Sequence, residues 1–226
     1  MLTRLLAAFS LLFVAAPSAA AEYIFDADGE SYTTYFGGFG GDPIMDIEGL
    51  NAELQLTLVS GIGTDSLEFS YVLTNTSTVG GSGSRVSGFA FDMDPLATSG
   101  SASGDFTKIH FDKSYPNAIG DVDACLSNSG ACSGPGGATL SDPATGTFIL
   151  NFDSDIGSLA LSDFYVRYQS LTGLNGITSA AGGQVPGVPE PSTWAMFLLG
   201  FFLIGGMLRS RRFGQAGLSA RRHSYQ

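Results

Sequence analysis

The stretch LEFSYVLT, Leu67 to Thr74, decides the fold class because its side chains alternate between two kinds. Successive side chains of an extended strand point to opposite faces, so one face would carry Leu67, Phe69, Tyr71 and Leu73. Aromatic and branched side chains of this kind are common in strands. The stretch therefore predicts a β-strand that buries one face.

The same alternation recurs in LQLTL (54–58), GFAFDM (88–93), TFILNFD (147–153) and FYVRYQ (164–169), and more weakly in FTKIHF (106–111). Segments rich in Gly, Ser, Asn and Pro separate these runs, and such residues favour turns. Many short strands joined by glycine-rich turns predict an all-β fold. We expect an antiparallel β-sandwich of jelly-roll type over residues 22–170, with a barrel as the alternative.

The alternation is lost in LTGLNGITSAAGGQVPG, residues 171–187. Glycine and small residues dominate this segment, a composition typical of flexible connections. We therefore expect residues 171–187 to be a flexible linker.

The first 21 residues, MLTRLLAAFSLLFVAAPSAAA, have the pattern of a signal peptide. Arg4 supplies positive charge, Leu5 to Ala16 form a short apolar core, and Ala19 to Ala21 provide small residues for cleavage. The apolar core is short for a membrane span, although an N-terminal anchor is the alternative. The pattern predicts export, with cleavage after Ala21.

The segment from Glu22 to Glu190 is strongly acidic. It holds all 21 acidic residues but only four basic ones, Arg85, Lys108, Lys113 and Arg167, which gives a net charge of −17. Such a charge disfavours binding to nucleic acid or to anionic lipid. We expect no nucleic-acid partner.

Cys125 and Cys132, in CLSNSGAC, are the two cysteines of the chain. In an exported protein, a nearby pair of this kind predicts a disulfide. A zinc site would need more ligands, and a catalytic cysteine would need a histidine partner, for which the acidic segment offers only His110. His110 itself is expected at the surface of a strand.

Pairs of aspartates two residues apart suggest a possible calcium site. Such pairs occur at 26/28, 92/94, 121/123 and 153/155, and carboxylate oxygens are typical calcium ligands. Asp92 and Asp94 are the weak candidates. Solvated turn carboxylates are the simpler interpretation, so we expect no firm metal site and no cofactor.

No catalytic motif stands out in the sequence, and we expect the protein not to be an enzyme. A carboxylate pair could serve a glycosidase, but nothing in the sequence sets the separation of two carboxylates. Tyrosines could instead stack on sugar rings, as in carbohydrate-binding β-sandwiches; the candidates are Tyr32, Tyr35, Tyr115 and Tyr165.

The C-terminal region carries a proline-rich segment, an apolar run and a basic cluster. Residues 193–208 contain no charge and suit a single transmembrane helix, although sixteen residues is short for a span. Arg209, Arg211 and Arg212 follow directly and would hold that end in the cytoplasm as a membrane stop. Pro189 and Pro191 hold the segment before the span extended.

This arrangement, VPEPSTWAMFLLG followed by RSRR, resembles the PEP-CTERM sorting signal in its Trp-Ala variant. The matching positions are Pro189, Glu190, Pro191, Trp194 and Ala195. The signal would cover residues 188–212 and leave 213–226 as a cytoplasmic tail, which is longer than such signals usually have. Tails of this type are also named after the C-termini of ice-binding proteins.

The resemblance implies recognition by an exosortase, a membrane-embedded transpeptidase that would cut near the Pro-Glu-Pro segment. Three features of the body are similar to the cistern family of PEP-CTERM proteins: SRVSGFAFDMDP (84–95), the Cys125/Cys132 pair and LSDFYVRYQSL (161–171). No activity is attached to that family. We expect a precursor anchored in the bacterial inner membrane with its body in the periplasm, passed on to the cell surface or an extracellular polysaccharide matrix. The expected role is structural or adhesive; the alternative is a glycan- or calcium-binding module.

Overall fold

The computed structural model describes residues 22–117, 119–130, 132–185 and 201. Within these described residues, twelve strands follow one another. They are Tyr23–Phe25 (β1), Ser31–Gly40 (β2), Met45–Ser60 (β3), Thr64–Asn75 (β4), Arg85–Asp94 (β5), Ser99–Gly104 (β6), Lys108–Tyr115 (β7), Gly120–Ser127 (β8), Ala138–Thr139 (β9), Ala144–Ile156 (β10), Leu159–Gln169 (β11) and Ser179–Val185 (β12).

All strand pairings are antiparallel, and they join the strands into one sheet. The main path runs β6-β10-β4-β3-β2-β12-β11-β5-β8-β7, while β1 pairs with β11 and β9 with β5. The predicted antiparallel all-β fold is confirmed. The strands are hydrogen-bonded in a single sheet, however, and not in the two separate sheets of a sandwich.

The sheet curves until its two edge strands meet, so that it forms a near-barrel. Gly100 of β6 lies under the side chains of β7: a Cβ atom on Gly100 would be 3.0 Å from the Phe111 ring and 3.4 Å from Ile109. The main-chain ladders do not include a β6–β7 pairing. This seam is therefore closed by side-chain packing, and glycine at position 100 makes the close approach possible.

The prediction that residues 171–187 form a flexible linker is wrong for residues 179–185. Ser179–Val185 form β12, in the middle of the sheet. This strand pairs with β11 on one side and with β2 on the other. Its first five residues, SAAGG, are small, and the tight packing against Tyr168 and Val166 leaves no room for a Cβ atom on Gly182. A buried strand of small residues lacks the alternation that identifies strands in a sequence.

The core lies between the two halves of the sheet that β12 joins. Phe69 and Phe148, from β4 and β10, are stacked with ring centroids 5.1 Å apart, and Phe148 meets Phe91 of β5 at 5.9 Å. Phe91 in turn contacts Phe164 of β11 at 5.8 Å. The inward residues that the alternation identified are buried, which confirms those strand faces: Leu54, Leu56, Leu58, Leu67, Phe69, Tyr71, Leu73, Phe89, Phe91, Met93, Phe148, Leu150, Phe152, Phe164, Val166 and Tyr168.

The first and last strands of the described domain lie end to end beside β11. Tyr23 of β1 pairs with Leu161, and Gly183 of β12 pairs with Tyr165, both antiparallel. The other side of β11 is occupied by β5, so β1 and β12 share one side. The chain therefore enters the domain at Glu22 and leaves it at Val185 at neighbouring positions.

Three predicted segments fall outside the described residues: the signal peptide 1–21, the sorting signal 188–212 apart from Phe201, and the tail 213–226. Within the part of the chain that is described, no helix is long and apolar enough to cross a membrane.

Replacing Phe148 with alanine tests the core. Phe148 is 1% exposed and contacts aromatic rings from both halves of the sheet. We expect the Phe148→Ala variant to lose about 3–5 kcal/mol of unfolding free energy, because a large cavity replaces the ring. Val72→Ala, on the exposed face of the neighbouring strand, should change it by less than about 1 kcal/mol. Denaturant titrations measure the unfolding free energy of both variants. Equal losses of unfolding free energy in the two would contradict the placement of Phe148 in the core.

Candidate functional site

A wide bulge in β3 shapes the outer face of the sheet. Gly37 of β2 pairs with Asn51, but its neighbour Gly38 pairs with Ile47, so three residues of β3 have no partner on β2. Of these three, Leu50 turns into the core and covers Gly38, where a Cβ atom would clash with its side chain. Gly49 takes a φ of 85°, which glycine adopts without strain.

The bulge borders an open groove of about 680 Å³ on the outer face. Gly37 of β2 and Gly183 of β12 pair with each other and lie in its floor. The next residue, Gln184, faces inward, because its side-chain amide donates hydrogen bonds to the hydroxyl groups of Tyr32 and Thr34. Successive strand residues face opposite sides, so Gly183 faces outward. The groove therefore exists because two paired strand positions lack side chains.

Polar and apolar groups alternate around this glycine-floored groove. Phe39 lies beside the floor, with its ring 3.4 Å from the position of a Cβ atom on Gly183. Ile47 and Val185 add apolar surface, while the exposed carboxylates of Asp46 and Glu48 stand on the β3 side. Asn51 adds a side-chain amide. Within the described chain, none of these polar side chains makes a hydrogen bond.

The calcium candidate Asp92 is engaged in bonds to the protein. Its Oδ1 accepts a hydrogen bond of 3.0 Å from the Asp123 N–H, and Asp123 Oδ2 accepts one of 2.8 Å from the Met93 N–H. The two carboxylates thus clamp β5 to β8 beyond the end of their main-chain ladder, which stops at Phe91. Burial raises the pKa of Asp92, and the charges of Asp123 and Asp163 act in the same direction.

Asp94, the second calcium candidate, is exposed. Among the described residues, no group of three or more His, Cys, Asp or Glu side chains is gathered in a way that could hold a metal ion. Asp92 and Asp94 stay weak calcium candidates, and the expectation of no firm metal site stays a prediction.

The predicted disulfide between Cys125 and Cys132 is present, with Cα atoms 5.7 Å apart. Both cysteines are buried in a small apolar cluster with Ala90, Tyr115 and Val122, separate from the main core. Closing so short a loop stabilises the fold by about 2.5 kcal/mol through the entropy of the unfolded chain. The bond therefore holds the loop after β8 against the sheet.

The predicted strand position of His110 is confirmed, because it lies in β7 and pairs across the ladder with Cys125. Its side chain is half-buried, however, and not at the surface as expected. Its Nε2 atom is inaccessible and has no hydrogen-bond partner among the described residues.

Only one of the four tyrosines considered for sugar stacking is exposed. Tyr35 is 45% exposed and pairs with Val185 at the end of the groove. Tyr32 stacks on Tyr23 at 4.5 Å, and Tyr115 is buried, with its hydroxyl donating to the Gly88 carbonyl. Tyr165 is half-buried beside Tyr115. The tyrosines therefore form no common platform.

The predicted sorting residues lie outside the described residues, and this applies to Pro189, Glu190, Pro191, Trp194 and Ala195 as well as to Arg209, Arg211 and Arg212. Comparison of the chain with models of protein families, with curated proteins and with solved structures finds no match in any of the three.

The groove was missed at the level of sequence because both of its floor strands were missed. The signal was nevertheless present: YFGGFGG (35–41) places glycines between aromatic residues, and glycine inside a strand marks a bulge or a close approach. The consecutive glycines 182 and 183 give the same signal in β12.

The Asp92→Asn variant tests the clamp through its dependence on pH. Because the folded state raises the pKa of Asp92, it binds this proton more tightly than the unfolded chain does. The stabilisation that comes from protonated Asp92 is full at low pH, and it is lost as pH rises through the pKa that Asp92 has in the folded state. Asparagine keeps an acceptor for the Asp123 N–H but does not ionise. The variant should therefore gain stability relative to the wild type between about pH 3 and pH 7.

Denaturant titrations across this range measure the difference in unfolding free energy. The Asp94→Asn variant is the control for removing one negative charge from the same strand. A difference between Asp92→Asn and the wild type that stays constant with pH would contradict the buried clamp.

Proposed function

We propose that this protein is a non-enzymatic cargo exported from a bacterial cell and sorted by its C-terminal signal to the cell envelope or an extracellular polysaccharide matrix. There it has a structural or adhesive role. The partner for sorting is an exosortase-type transpeptidase acting at the inner membrane. The proposal rests on the sequence from Val188 to Arg212, and the architecture of the β-domain supports it.

The observation that carries this proposal is the position of the two domain ends. The first strand begins two residues after Ala21, the expected cleavage site, and the last strand ends four residues before Pro189. Removal of the signal peptide and cutting near Pro189 would therefore take no strand from the sheet. A cargo that must survive processing at both ends needs this property.

The structure of the domain also suits an extracellular protein. A buried disulfide is stable in an oxidising compartment, and the acidic surface favours solubility. Strand pairing between distant parts of the chain gives a rigid scaffold on which an adhesive surface can be carried.

The direct test replaces Pro189, Glu190 and Pro191 with alanine in the native host. Without these prolines the segment before the span can become helical, so the peptidase would lose its extended substrate. We expect the variant to accumulate uncleaved in the membrane fraction, while the wild type matures to a shorter exported form. Immunoblots of membrane, cell-surface and medium fractions with an antibody to the β-domain measure both forms.

Pro186→Ala is the matched control, because it removes a proline from the same connecting segment but leaves the motif intact. It should mature like the wild type. Maturation of the triple-alanine variant at the wild-type rate would show that this motif does not direct sorting.

A further inference from the structure

We propose that the glycine-floored groove on β2, β3 and β12 binds an oligosaccharide that carries no acidic groups. This deepens the adhesive role proposed above and rests on it. It assigns the contact with the matrix to a defined surface of the β-domain.

The shape of the floor favours a flat ligand. Gly37 and Gly183 are directly paired and have no side chains of their own, so the floor between the Val185 side chain and the Phe39 ring is backbone. Val185 Cγ1 is 2.9 Å from the position of a Cβ atom on Gly37, and the Phe39 ring is 3.4 Å from that on Gly183. A sugar ring offers a flat face of C–H groups that packs on such a surface, with the Phe39 ring and Val185 alongside. The volume of about 680 Å³ falls within the range of small-ligand sites.

The polar groups of the groove match sugar hydroxyls. The carboxylates of Asp46 and Glu48 are exposed and accept hydrogen bonds without donating any, and Asn51 can do both. Hydroxyl or amino groups on a sugar ring would supply the donors, and bonds to an ionised acceptor are the stronger kind. An apolar floor with polar groups at its rim is the arrangement that a ring with equatorial polar groups requires.

Two alternative ligands fit less well. A peptide cannot add a strand here, because β2 and β12 already pair with each other across the floor, from Tyr35↔Val185 to Phe39↔Ala181. An acidic polysaccharide would bring its negative charge against Asp46 and Glu48, on a domain whose net charge is already strongly negative. The remaining match is a neutral or amino-bearing saccharide.

Gly183→Val tests the groove by filling it. Its φ lies outside the left-handed region and its neighbours leave room for a Cβ atom, so a β-branched residue suits this strand position. Gly157→Val is the matched control, at a position with no atom near its Cβ and remote in sequence from the groove. A second variant, Asp46→Asn with Glu48→Gln, changes only exposed side chains and removes the charged acceptors.

The measurement uses the full-length protein in mild detergent on an array of neutral, amino-bearing and uronic-acid oligosaccharides, followed by titration of the best binder. We expect binding in the neutral or amino series, lost in Gly183→Val and unchanged in Gly157→Val. The double carboxamide variant should bind at least about tenfold more weakly. Thermal melting of each variant confirms that it is folded.

Any of three results with the oligosaccharides would overturn the proposal: the absence of binding in the neutral and amino series, binding confined to uronic acids, or binding that Gly183→Val retains. Equal binding of hexalysine, lost in the same variants, would also overturn it by reducing the groove to a general cation site. Because binding is measured on purified protein, such a failure leaves the sorting experiment and its result unaffected.

Discussion

The hydrogen bonds of β12 to both of its neighbours are the interaction on which the rest of the structure depends. One side of this strand pairs with β2 and the other with β11, and it is the link between the five strands on one side of the main path and the four on the other. Without it, two sheets would face each other across the aromatic core. With it, they become one curved sheet that closes at the β6–β7 seam.

The small side chains of β12 and its position beside β11 allow this strand to serve three purposes at once. Toward the core, Gly182 makes room for Tyr168 and Val166. Toward solvent, Gly183 leaves the floor of the groove open. Along its axis the strand ends where β1 begins, so both ends of the domain lie together beside β11. Packing, the candidate site and the domain boundary thus share one structural cause.

The sequence predicted the strands that have one apolar and one polar face. Their inward residues, such as Leu56, Phe69 and Val166, are buried because alternation and a single core express the same constraint. β2 and β12 were not predicted, since glycine removes the side chain whose polarity carries the signal. The order of the strands in the sheet could not be predicted either, because pairs such as Phe39↔Ala181 join residues that are far apart in the chain.

The disulfide was predictable because the spacing of the two cysteines and the expectation of export suffice for that prediction. The Asp92–Asp123 clamp was not, because it depends on β8 lying beside β5.

Hydrogen exchange of the backbone amides of residues 179–185 tests the central claim most directly. A strand held between two neighbours exchanges only when the sheet opens, so these amides should be protected as strongly as those of residues 165–169 in β11. A flexible linker would exchange within the dead time of the experiment. Rapid exchange across 179–185, with β11 still protected, would contradict the account that this last strand joins the sheet.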